Sequence, residues 1–240
     1  FYNGGGDSQD TLNKIANFTK DMGFPIQCIG IPKTVDNDIP FTDNCPGFGS
    51  VAKYIAISTK EAGLDVASMA ETSTKVFILE VMGRHAGWIA AAAGLAQEKE
   101  GDPPHLILFP EIAFNKKKMI SKVRATVKKH GYCVLVVSEG VRNSKGKFLA
   151  DADTKDAFGH KQLGGVAPKI ASIINSSLGY KYHWAVSDYL QRSARHIASQ
   201  TDLEQAYSVG KSAIDFVLKG ENAVMPIIKR KKTKKYSWEI

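Results

Sequence analysis

Ile31-Pro32-Lys33-Thr34-Val35-Asp36-Asn37-Asp38-Ile39-Pro40 packs two carboxylates, a lysine, a hydroxyl and an amide into one short stretch. Upstream, Gln27-Cys28-Ile29-Gly30-Ile31 reads as a short apolar strand, so the polar cluster falls where that strand ends. Proline at both borders disfavours helix and fixes the turn. In open α/β sheets, ligands bind beyond the carboxyl ends of the strands. Asp36 and Asp38 flank one Asn, a spacing suited to a base beside a metal-directing acid. An Asx-type turn with solvated carboxylates is the plain alternative.

The same hand-over from strand to polar turn recurs along the chain. Helical patterns are expected over 11–22, 51–71, 88–98, 119–130, 168–178 and 202–219. Between them lie apolar strands: Val76–Val81, then 106–109, 134–137 and 184–186. Each strand ends at a turn holding a charged residue, with Arg84, Glu139 and Arg192 joining the Asp36 and Asp38 pair. Alternating strands and helices predict an α/β fold of two Rossmann-like lobes, with mostly parallel sheets and helices on both faces. One lobe is expected over 1–47 plus 191–225 and the other over 48–190, with substrates between them. Residues 226–240 should begin a C-terminal extension. The first residues, Phe1-Tyr2-Asn3-Gly4, read as the end of a strand and lack a Met, so a piece of a longer protein is expected.

Composition narrows the class. Of 240 residues, 43% are hydrophobic and 23% charged, as in ordinary globular proteins. No apolar run approaches the roughly 18 residues of a membrane span. Cys28, Cys45 and Cys133 lack metal-type pairing and suit a reducing compartment. The formal charge of +8 gathers in Lys116-Lys117-Lys118 and in the run around Lys229-Arg230-Lys231-Lys232. Neither cluster carries an aromatic ladder or a nucleic-acid motif, so both read as solvated charge rather than a phosphate-backbone site. Gly4-Gly5-Gly6-Asp7-Ser8 precedes the first helix, with Asp7 or Ser8 expected near its N-cap. Glycines and helix N–H groups can cradle a phosphate, and a carboxylate there makes sense if a divalent cation bridges the two.

Five motifs occur in one order: Gly4-Gly5-Gly6-Asp7-Ser8, Pro32-Lys33-Thr34-Val35-Asp36-Asn37-Asp38, Met82-Gly83-Arg84-His85-Ala86-Gly87-Trp88, Ser138-Glu139-Gly140-Val141-Arg142 and Tyr189-Leu190-Gln191-Arg192. Together they closely resemble the phosphofructokinases, in their pyrophosphate-dependent branch, over nearly the whole chain. The resemblance implies phosphoryl transfer from pyrophosphate to the 1-hydroxyl of fructose 6-phosphate, with Mg2+, in a cytoplasmic homodimer or homotetramer without nucleic-acid or membrane partners.

The resemblance also implies roles. Asp36 would be the base, Lys33 would stabilise the leaving phosphate, and Arg84 would grip sugar-phosphate oxygens. Thr34 and Val35 would line the transferring phosphate, and Asp7 and Asp38 would direct the metal. Met82, Gly83 and Glu139 would meet the sugar, and Tyr189, Leu190, Gln191 and Arg192 the 6-phosphate. Lys75 would reach a neighbouring subunit's sugar phosphate. The donor loop would be Gly5, Gly6, Asp7 and Ser8, with Lys33 and Asp7 excluding ATP. Gly6 stands where many relatives carry a metal-directing aspartate, so Asp7 has two candidate roles. The competing readings are a non-catalytic sugar-phosphate-binding subunit, which intact Asp36 and Arg84 oppose, and an ATP-dependent kinase, which Lys33 opposes.

Overall fold

The computed structural model describes residues 1–155, 161–163 and 165–240. The chain opens with β1 (Tyr2–Gly4), α1 (Gly6–Asp21), β2 (Gly30–Pro32) and the long α2 (Phe48–Met69). Then come β3 (Val76–Val81), α3 (Trp88–Ala92), β4 (Leu106–Leu108), α4 (Lys116–His130) and β5 (Cys133–Ser138). An antiparallel pair, β6 (Asp151–Lys155) and β7 (Lys161–Leu163), precedes α5 (Val166–Leu178), β8 (Tyr182–Val186) and the single turn α6 (Leu190–Ser193). The helix α7 (Gln200–Leu218) and the two short strands β9 (Lys229–Arg230) and β10 (Trp238–Glu239) complete the order. Two compact units result: Phe1–Val51 with Arg195–Ile240, and Ala52–Ala194.

The second unit is built on a four-stranded, all-parallel sheet in the order β4-β5-β3-β8. Strands covered on both faces need apolar residues at consecutive positions, and β5 is buried throughout. Val76 and Ile78 of β3 share a core with Leu135 of β5 and with Val166, Ile170 and Ile174 of α5. Glu80 interrupts the apolar run yet is 1% exposed. Its Oε2 accepts the Ala167 N–H at 2.8 Å, capping the first turn of α5. Helix N-terminal amides lack intrahelical partners and favour negative charge. Desolvation nevertheless dominates and raises the Glu80 pKa, against the backbone amides of Ala167, Gly165 and Val166.

Two expected helices shift. The 88–98 pattern divides into α3 and a 3₁₀ turn, Ala93–Ala96, in a stretch where Gly94 weakens α-helix. The first helix starts at Gly6, with Gly5 as its N-cap and no side-chain cap bond, so Asp7 and Ser8 lie inside its first turn.

In the first unit, β1 and β2 run parallel, pairing Tyr2 with Gly30 and Gly4 with Pro32. Where β2 begins, Ile29 bridges Val224, and Gly30 N–H donates to the Val224 carbonyl at 2.9 Å. Residues 226–240 belong to this unit. Ile228 is fully buried, and its N–H donates to Thr42 Oγ1 at 3.1 Å. Among the described residues no helix is long and apolar enough to cross a membrane. All three cysteines are buried, and none is in a disulfide.

Candidate active site

The glycine loop and the acidic turn adjoin within the first unit. Lys33 N–H donates to the Gly4 carbonyl at 3.0 Å, continuing the β1–β2 ladder one residue past β2. A Cβ on Gly5 would lie 3.6 Å from both the Lys33 carbonyl oxygen and Thr34 Cβ. Gln9, one turn into α1, donates from Nε2 to the Gly4 carbonyl at 3.1 Å and the Ile31 carbonyl at 3.2 Å. The strand ends and the helix start are thereby held together from one side chain.

The acidic turn is internally fixed. Thr34 is buried, and its Oγ1 accepts the Asp36 N–H at 3.2 Å. Asn37 takes a left-handed φ of 55°, and its Oδ1 accepts the Cys45 N–H at 2.7 Å. Burial is the chief cause that pushes the Cys45 thiol up to about 11, and the nearby carboxylates of Asp38 and Asp36 add to it. Lys33 and Asp38 are exposed, as is Asp7. Among the described residues no group of three or more His, Cys, Asp and Glu side chains is set to hold an ion. Mg2+ commonly takes one or two carboxylates and completes its shell with substrate phosphates and water. Two exposed carboxylates, Asp7 in the first turn of α1 and Asp38 in the acidic turn, fit that mode.

The second unit brings its candidates to the carboxyl ends of three adjacent strands. Gly83 N–H, just past β3, donates to Glu139 Oε1 at 3.2 Å, just past β5. Ser138 Oγ donates to the Gly83 carbonyl and accepts the Gly140 N–H at 3.2 Å. Gly140 is tightly enclosed, since a Cβ there would stand 2.1 Å from the Arg84 carbonyl oxygen. From beyond β8, Gln191 Oε1 accepts the Met82 N–H at 3.2 Å, while Gln191 Nε2 donates to the Asp188 carbonyl at 2.8 Å. Arg192 places its guanidinium 4.0 Å from the Tyr189 ring centre, a cation–π contact that holds both side chains. Beside Arg84, His85 Nδ1 lies 2.6 Å from an Arg142 guanidinium nitrogen.

The structure thus gathers Gly5, Gly6, Asp7, Ser8, Lys33, Thr34, Val35, Asp36 and Asp38 in one unit. It gathers Met82, Gly83, Arg84, Glu139, Tyr189, Leu190, Gln191 and Arg192 at one end of the sheet in the other. Two of the expected residues are placed differently from the rest. Gln191 is only 2% exposed and its amide is engaged with backbone, so it shapes the turn while its exposed neighbours Tyr189, Leu190 and Arg192 face outward. Lys75 immediately precedes β3, at the opposite end from Arg84, and its Nζ donates to the Ala70 carbonyl. Six strand residues separate those ends, about 20 Å at the usual rise.

Sequence reasoning missed Gln9, Glu80 and Asp202. For Asp202 a local signal exists, because Ser199-Gln200-Thr201-Asp202 has capping-box spacing. That signal marks the start of α7 but not the partner.

A family model described as Phosphofructokinase matches residues 1–217. The pyrophosphate–fructose 6-phosphate 1-phosphotransferase of Halomonas elongata is 63% identical over the whole chain, which covers 57% of that protein. That of Methylococcus capsulatus is 59% identical with the same coverage, 100% of this chain and 57% of the relative. The crystal structure of a pyrophosphate-dependent phosphofructokinase from Marinobacter aquaeolei superposes with a TM-score of 0.89 at 60% identity, covering all of this chain and 56% of that one. The chain therefore spans a little over half the length of the relatives it matches.

Proposed function

Because the chain belongs to the phosphofructokinase family, we propose that this protein transfers a phosphoryl group from pyrophosphate to the 1-hydroxyl of fructose 6-phosphate. The products are fructose 1,6-bisphosphate and phosphate, and the reaction is reversible. The carboxylate of Asp36 takes the hydroxyl proton as the sugar oxygen attacks the terminal phosphorus. The new O–P bond forms while the bridging P–O bond of pyrophosphate breaks, and its electron pair leaves with phosphate. General-base assistance of this kind contributes typically 10²- to 10⁴-fold.

The surrounding residues divide the remaining work. Thr34 Oγ1 accepts the Asp36 amide, which leaves its own O–H to donate to a phosphate oxygen. The ammonium of Lys33 offsets charge on the departing phosphate, where ATP would carry the rest of a nucleotide. Asp7 places negative charge where a nucleotide's next phosphate would lie. Mg2+, held by Asp7, Asp38 and the phosphate oxygens, would supply further charge neutralisation. In the second unit Arg84 offers a planar donor pair suited to phosphate, and Glu139 accepts from sugar hydroxyls. Tyr189, Leu190 and Arg192 take the 6-phosphate end.

The observation that carries this reading is the contact between the two loops of the first unit: Lys33 N–H on the Gly4 carbonyl, with Gly5 against Thr34. It supports the reading by bringing the glycine loop close to the turn that carries Asp36. The three buried thiols suit a reducing cytoplasm, and a homodimer or homotetramer is the assembly we assign. A donor-swap assay on the full-length protein tests the function. Turnover with pyrophosphate and little with ATP is expected. The reverse preference overturns the donor assignment, and sugar-phosphate binding without turnover overturns the enzyme reading.

A further inference from the structure

We propose that Asp202, in the first turn of α7, is a positioning residue for the turn that carries Thr34 and Asp36. This rests on the catalytic reading of Asp36 given above. Asp202 is 5% exposed, and a buried carboxylate is tolerated only when it is well hydrogen-bonded. Its donors all come from one place, the entry to α2. Oδ1 accepts the Gly47 N–H at 2.9 Å. Oδ2 accepts the Ser50 hydroxyl at 2.6 Å and the Ser50 N–H at 3.2 Å. Ser199, the N-cap of α7, donates its own N–H to Ser50 Oγ at 3.2 Å. One carboxylate therefore serves the opening amides of a second helix, where negative charge is favoured.

The segment so held is the one against which the acidic turn is laid. Thr34 N–H donates to the Pro46 carbonyl at 3.3 Å, and Thr34 bridges Gly47 in parallel. Thr34 Oγ1 in turn accepts the Asp36 N–H. The order of contacts is Asp202, Gly47 with Pro46, Thr34, Asp36. Every member lies in the same unit of the chain. Asp202 itself is buried, so its influence passes through the backbone of residues 46 and 47. Neutralising or shortening it loosens the base by a fraction of an ångström to an ångström. Displacements of that size cost up to about 100-fold in rate. Residues assigned to the sugar phosphate belong to the other unit and keep their own supports.

The test uses the full-length protein, with kcat and KM for fructose 6-phosphate measured for wild type, Asp202→Asn and Ser50→Ala. Asp202→Asn keeps an oxygen for Gly47 but presents NH₂ where Ser50 now finds an acceptor. We expect kcat to fall roughly 10- to 100-fold, with KM for the sugar phosphate within about twofold of wild type. Ser50→Ala, which leaves the Gly47 contact in place, should show a smaller loss in kcat. A lowered melting point with unchanged kcat in folded Asp202→Asn would overturn the inference, as would a raised KM at normal kcat. Should Asp202→Asn fail to fold, Ser50→Ala decides, and wild-type kcat in that variant overturns it. Inactivity of the wild type itself overturns the catalytic reading instead.

Discussion

Gly83 and Glu139 are joined across two neighbouring strands, the Gly83 amide donating to the carboxylate of Glu139 at 3.2 Å. The residue assigned to sugar hydroxyls is therefore also a strut for the turn that carries Arg84. A carboxylate can accept several hydrogen bonds at once, so the two roles are compatible. Glu139→Ala should strand the buried Gly83 amide at a cost of about 1–3 kcal/mol, and should raise KM for fructose 6-phosphate. Glu139→Gln keeps an acceptor and should restore most of the stability but not the sugar affinity. Thermal unfolding combined with substrate titration separates the two effects.

Gly140 has no room for a side chain. A methyl group there would stand 2.1 Å from the Arg84 carbonyl oxygen and 2.6 Å from that of Gly83. Gly140→Ala must move the Arg84 turn or unfold the strand end. We expect a folded fraction with weakened sugar-phosphate binding and little change in affinity for pyrophosphate, measured by titration of each ligand separately. Unchanged binding of both would contradict the placement of Arg84.

Donor choice is tested at Lys33. Replacing it by glycine removes the charge assigned to the leaving phosphate while leaving the backbone bond from residue 33 to Gly4 possible. Pyrophosphate-driven kcat should drop by about two or more orders of magnitude. Retention of the full rate would refute its role.

Glu80 gives a pH prediction for stability. Burial raises its pKa in the folded protein above the ordinary glutamate range. The folded state then binds more protons than the unfolded state between the two values. Its contribution is fully present below the unfolded pKa and is lost as pH rises through the folded one. Glu80→Gln should flatten that part of the stability curve, which denaturant titrations from acid to neutral pH will show.

The strands of the second unit were legible because burial on both faces demands uninterrupted apolar runs, as in Val76-Phe77-Ile78-Leu79 and Val134-Leu135-Val136-Val137. The start of α1 was not, because Gly6-Asp7-Ser8-Gln9-Asp10 contains no apolar residue to reveal helical phase, and the stripe begins only at Leu12. Candidate residues at strand ends could be read locally, since each sits in a short polar turn. Their supports could not. Asp202 reaches Gly47, Gln191 reaches Met82 and Glu80 reaches Ala167, each across a long span of sequence. Such pairs exist only once the chain is folded.

The central claim is that Asp36 primes the sugar hydroxyl. It is tested most directly by the rate of fructose 1,6-bisphosphate formation from pyrophosphate in full-length Asp36→Asn, with folding and fructose 6-phosphate binding verified alongside. We predict a loss of about 10²-fold or more in kcat with binding retained. A variant that binds the sugar phosphate and turns over at the wild-type rate would contradict it.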